Sequence, residues 1–136
     1  MMKKLTAIIF ALIALLTGCA KESAYQPDEA LNVTMTVSNV TPAGAVVKIQ
    51  DANPEPFVYG EWFCIEREKD GVWYEVKTKI TNYGFNEIGW LTDENGELTM
   101  DTDWEWLYGT LPAGRYRILK QAGTQIISAE FSVGSH

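Results

Sequence analysis

Histidine is nearly missing from this chain: there is one in 136 residues, and it is the last, His136. A terminal side chain makes a poor general base, because nothing around it fixes its position or its pKa. Ser-His-Asp and Cys-His nucleophile systems are therefore left without their base. Cysteine is almost as scarce, with Cys19 and Cys64 alone, so a zinc centre has no ligand set. Basic residues are outnumbered 11 to 18, for a net charge of −7. That balance argues against nucleic acid and against binding anionic lipid headgroups. No Gly-rich phosphate loop is present, since Gly109 and Gly114 read as turn residues. No long amphipathic helical period occurs either. The apolar run Leu5 to Leu16 falls short of the ~20 residues that a bilayer span needs. Nothing in the composition asks for a cofactor or a metal.

What is present begins at the N-terminus. Lys3 and Lys4 precede that apolar run, which closes on Leu16-Thr17-Gly18-Cys19. A basic start, an apolar stretch and small residues before a cut site describe a secretory signal. A cysteine at the cut site after Leu-x-Gly resembles the lipobox of bacterial lipoproteins. The resemblance implies a diacylglyceryl group on the Cys19 sulfur and removal of residues 1–18, which leaves 118 of the 136 residues. Two acyl chains tether a protein lastingly, where one holds it only marginally. The expected location is the extracytoplasmic face of the cell membrane, reached through this lipid. Losing Lys3 and Lys4 leaves nine basic against 18 acidic side chains, or −9. With Cys19 lipidated, Cys64 has no partner for an intrachain disulfide. A lone thiol outside the cytoplasm is either reactive or covered. The apolar setting Trp62-Phe63-Cys64-Ile65 favours an inert, partly covered thiol.

Three segments follow: the signal at 1–18, Cys19 with a flexible linker at 19–30, and one domain at 31–136. The stretch 20–30 (AKESAYQPDEA) is polar and without hydrophobic period, as a spacer would be. From Leu31 the pattern is β throughout. Val33, Met35 and Val37 alternate with polar residues, and Thr41 to Gly44 form a turn. Val47 and Ile49 share one face of a second strand. Asp51 to Pro56, with two prolines, is a loop. Tyr59 to Glu68 and Val72 to Lys79 are predicted as a hairpin closed by Asp70-Gly71, a pair suited to positive φ. Asn82 to Leu91 is interrupted by Gly84 and Gly89 and reads as a short strand with an irregular entry. Glu97 to Asp101 is a strand. Trp104 to Leu107 reads either as one helical turn, capped by Thr102-Asp103 and stopped by Gly109, or as a strand. Arg115 to Gln121 and Thr124 to Val133 make a last pair.

Seven or eight short antiparallel strands with no long helix argue for a β-sandwich, with a closed barrel as the other arrangement. The turn Leu111-Pro112-Ala113-Gly114 followed by a tyrosine at a strand start resembles the tyrosine corner of such sandwiches, with Tyr116 as the candidate. Gly71-Val72-Trp73-Tyr74-Glu75-Val76, Trp104-Glu105-Trp106-Leu107-Tyr108-Gly109 and Leu111-Pro112-Ala113-Gly114-Arg115-Tyr116-Arg117-Ile118 together resemble a bacterial immunoglobulin-like domain. That domain is common in envelope proteins and small lipoproteins of Gram-positive bacteria. The similarity runs from Leu31 to Val133. It implies an all-β immunoglobulin-like sandwich on the outer face of the cytoplasmic membrane, and it implies no reaction.

Carboxylates gather between Asp93 and Glu105. A calcium site needs six to eight oxygen ligands, and the spacing here does not match an EF-hand loop; a solvated turn and strand face is the simpler reading. Carboxylate pairs also serve glycoside hydrolysis, yet nothing singles out one pair. Five tryptophans remain: Trp62, Trp73, Trp90, Trp104 and Trp106. Exposed aromatic rings stack on sugars or anchor protein partners. If Phe63 and Ile65 point inward, strand alternation turns Trp62 outward, either as a binding surface or under a neighbouring loop. Trp104 and Trp106 are expected against Tyr116 and the sandwich end. The function expected is a non-catalytic interaction module for another envelope protein, with a wall-glycan binding module as the alternative.

Overall fold

A computed structural model describes residues 20–29 and 31–134; the signal segment, Cys19 and His136 lie outside them. Seven antiparallel strands form two sheets. In chain order they are β1 (Val33–Thr41), β2 (Gly44–Asp51), β3 (Cys64–Lys69), β4 (Val72–Glu75), β5 (Glu97–Asp103), β6 (Gly114–Ala122) and β7 (Gln125–Val133), with a single helical turn, α1 (Glu105–Tyr108), after β5. One sheet has the order β1-β2-β5 and the other β4-β3-β6-β7. This is an immunoglobulin-like sandwich. Among the described residues no helix is long and apolar enough to cross a membrane.

Alternation builds the core. Val33 and Met35 of β1, Ala45, Val47 and Ile49 of β2, and Leu98 of β5 face Ile65 of β3, Tyr116 and Ile118 of β6, and Ile127, Ala129, Phe131 and Val133 of β7. Fully burying an aliphatic side chain such as Val47 or Ile49 contributes ~1.5–3 kcal/mol. Trp104 is wholly buried. It stacks on Phe131 at 5.2 Å, and Phe131 stacks on Tyr116 at 5.7 Å. The Tyr116 hydroxyl donates to the Pro112 carbonyl at 2.6 Å, tying β6 to the turn that feeds it.

The β3–β4 turn has positive φ at both Asp70 (52°) and Gly71 (81°), as its sequence predicts. The strands around it are shorter than expected. β4 ends at Glu75, and β3 starts only at Cys64, with Tyr59 held instead in a lone bridge to Trp90. Residues 82–91 contain no strand; Gly84 and Gly89 sit in an irregular excursion. Trp104 to Tyr108 takes the helical alternative. Asp103 Oδ1 accepts the Glu105 amide at 2.9 Å, and Gly109 ends the turn with φ 76°.

Residues 20–29, whose polar composition predicts a flexible spacer, instead lie as a strap across the outer face of the four-stranded sheet. The Ser23 amide donates to the Trp73 carbonyl at 2.9 Å and the Glu75 amide to the Lys21 carbonyl at 2.7 Å, adding Glu22 to the edge of β4. The Asp28 amide then reaches the Ile126 carbonyl on β7 at 2.8 Å. Beneath the strap, Arg117 donates to Glu66 Oε1 at 2.6 and 2.7 Å and to Ser23 Oγ at 3.2 Å, and its guanidinium lies 4.6 Å from the Trp73 ring centre. Backbone pairing and one buried ion pair order a segment that carries no hydrophobic period.

Candidate functional site

The sandwich leaves a cleft of about 350 Å³ beside β5. One wall is β5 itself, from Thr99 to Asp103. The other is built by Glu61, Phe63, Phe85, Trp90, Trp106 and Lys120. Trp90 and Trp106 are 41% and 39% exposed, large fractions for tryptophan.

Each wall residue is placed by a traceable chain of contacts. Asp51, buried at the end of β2, accepts the Asn53 amide at 2.9 Å, the Tyr59 hydroxyl at 2.7 Å and the Phe57 amide at 2.8 Å. Burial alone would raise its pKa, but these donors hold the carboxyl below its usual range. The anchored Tyr59 exchanges two backbone bonds with Trp90, at 3.0 and 2.7 Å, and so sets Trp90 at the rim. Trp106 rides on α1, its indole Nε1 donating to the Asp103 carbonyl at 2.9 Å. The Lys79 amide donates to the Leu107 carbonyl at 2.8 Å and fastens α1 to the excursion after β4. Phe85 stands edge-on to Phe63 at 5.4 Å and to Trp106 at 5.8 Å, and Tyr83 adds an edge contact to Trp106 at 6.5 Å.

Lys120 forms part of the cleft wall and is 3% exposed. Its ammonium donates to the Gly60 carbonyl at 2.9 Å and the Trp62 carbonyl at 3.0 Å. Burial pushes its pKa down to about 8, against a smaller upward pull from Glu61. The lysine thus clamps the segment that presents Glu61. The remaining charges along the cleft, Glu61, Asp101 and Asp103, are acidic.

The residues singled out from sequence fall elsewhere. Phe63 and Ile65 point into the core and Trp62 away from it, where Tyr25 of the strap stands edge-on to its ring at 5.8 Å; Trp62 is half-buried. Cys64 lies on the same outer side, and burial pushes its thiol up to about 11, with Glu66 adding to the effect. A thiol so shifted stays protonated and unreactive near neutral pH. Trp106 does not pack against Tyr116 as expected; it packs on Tyr83 and Phe85 at the surface. Sequence reasoning missed this cleft. Its one legible signal was the aromatic content of 83–90 and of α1, where the helical reading separates Trp104 from Trp106 and sends them to different environments. The rings of Tyr83, Phe85 and Trp106 meet at 73–87°, so they present no common plane of the kind a sugar ring stacks on. Among the described residues no three His, Cys, Asp or Glu side chains converge to hold a metal ion.

Residues 29–132 match the family model described as a bacterial Ig-like domain. No curated protein and no solved structure matches the chain.

Proposed function

This chain belongs to the bacterial Ig-like domain family, and from that premise we propose that it is a non-catalytic interaction module, held at the outer face of the cell membrane by a lipid on Cys19, that docks another envelope protein in the β5 cleft. Domains of this family are typically extracellular and generally non-catalytic. The observation that carries it is the distribution of exposed apolar surface. Of the exposed large hydrophobics among the described residues, Trp90 and Trp106 line this cleft, and Tyr83 packs beside it on Phe85 and Trp106. Clustered aromatics beside a charged rim are the pattern of a protein-docking surface.

The test is in-cell crosslinking of the full-length chain followed by mass spectrometry, beside Trp90→Ala and Trp106→Ala variants. A dominant envelope protein that disappears in both variants supports docking at the cleft. Wall glycan recovered without a protein partner overturns it. Metabolic labelling with an alkyne fatty acid tests the anchor, with incorporation expected in the parent chain and none after Cys19→Ala.

A further inference from the structure

A sandwich of two open sheets has four edges, and here three of them are covered. β1 packs against β7 across the sheets, so those two edges face each other. The edge of β4 is taken by the strap through the Glu22–Tyr74 bridge. The fourth edge is β5, which pairs with β2 along its whole length, from Glu97 opposite Gln50 to Asp103 opposite Gly44. Among the described residues no backbone group pairs with residues 98–102 on the other side. This open edge is also the wall of the cleft. Thr99, Met100, Asp101, Thr102 and Asp103 line it consecutively. Successive side chains of a strand point to opposite faces, so five neighbours line one space only when that space runs along the strand's edge.

Resting on the docking reading above, we propose that the partner enters as an extended, basic segment that adds a β-strand to the free edge of β5. Main-chain bonds would supply the affinity of such an addition, and pockets for alternate side chains the selectivity. Phe85, Trp90 and Trp106 form the apolar pocket across from β5, and Glu61, Asp101 and Asp103 supply negative charge. Lys120, whose ammonium donates to the Gly60 and Trp62 carbonyls, offsets one of these three charges and leaves the cleft net negative. The complement is a segment alternating Lys or Arg with apolar residues. Five lining residues at ~3.4 Å each set its length at roughly five residues, or about 17 Å. A second copy of this chain is the wrong occupant, since two β5 edges would bring Asp101 and Asp103 against their own kind. Acidic side chains on an open edge discourage self-pairing and leave the edge free for a basic strand.

The experiment places a photoreactive amino acid at position 99, 101 or 83 of the full-length chain in cells and maps the crosslinked residues of the partner; Tyr83 is exposed and stands beside Trp106 without lining the cleft. Crosslinks from 99 and 101 to one Lys- or Arg-containing extended segment are expected. The yield from position 99 should fall at least tenfold when Asp101→Lys and Asp103→Lys are combined. A synthetic copy of the mapped segment should bind the full-length chain, and N-methylation of alternate amides should weaken it at least tenfold. Crosslinks from position 83 with none from 99 or 101, or an N-methylated copy that binds equally well, overturn strand addition while leaving docking intact. Crosslinks from none of the three positions overturn both.

Discussion

Lys120 offers a direct reading of how burial governs this fold. The ammonium is 3% exposed and is held by two carbonyls rather than by a carboxylate, so burial moves its pKa from the ordinary 10.5 to about 8. Between those values the unfolded chain carries a proton that the folded chain has lost, so stability rises with pH through this window. The gap of about 2.5 units corresponds to about 3 kcal/mol in all, of which about 1 kcal/mol accrues between pH 8 and pH 9. Cys64 acts in the opposite sense. Its folded pKa is raised to about 11 from 9.0, so the unfolded thiol ionises first and stability falls above pH 9. That fall begins before pH 9, where half of the unfolded thiol is ionised, and it removes about 0.35 kcal/mol of the gain between pH 8 and pH 9. Urea denaturation followed by tryptophan fluorescence should show the midpoint rising by about 0.3 M between pH 8 and pH 9, for a slope near 2 kcal/mol/M. In Lys120→Met the rise should vanish, although the variant loses some stability overall by leaving two carbonyls without a donor. Parallel midpoints for the two proteins across pH 7 to 9 would refute the reasoning.

Two further outcomes follow from the packing. Arg117→Ala strands a wholly buried Glu66 whose Oε2 already has no partner, so it should cost about 3–5 kcal/mol in urea denaturation, and replacing both residues by apolar side chains of similar size should recover most of the loss. Tyr116→Phe keeps the ring on Phe131 and removes the 2.6 Å bond to Pro112; we expect about 1 kcal/mol, read as a lower melting temperature with an unchanged far-UV spectrum.

Where residues act through local periodicity, the sequence was a good guide. The alternation in Val33-x-Met35, Val47-x-Ile49 and Phe63-x-Ile65 sorts inside from outside, and Asp70-Gly71 closes a hairpin because both positions need positive φ. What stayed hidden depends on contacts distant in the chain. Arg115 to Gln121 reads only as one strand of the last pair, and nothing in it announces that Tyr116 to Lys120 are buried without a break, with the core on one face and strap residues Ser23 and Tyr25 on the other side of the sheet. Nothing in AKESAYQPDEA announces that covering, since its bonds to β4 and β7 use backbone groups that every sequence has. The cleft escaped for a similar reason. Asp51 looks like a loop residue, but it positions Tyr59 and through it Trp90, 39 positions further along the chain. Trp106 reaches the surface because one helical turn rotates it away from Trp104.

The strap also decides how far this domain would stray from the anchor proposed on Cys19. Were residues 19–30 a loose coil, their twelve links would give a root-mean-square reach of roughly 19 Å and let the domain tumble. Pinned from Lys21 onward, they leave a leash of about two peptide links, under 8 Å, between a lipid on Cys19 and the β4 edge. With that anchor in place, an acidic body that an anionic leaflet would otherwise push away would be kept close to the bilayer. Encounters with a membrane-bound partner would then become a search in two dimensions, which raises the local concentration of the pair with no new contact.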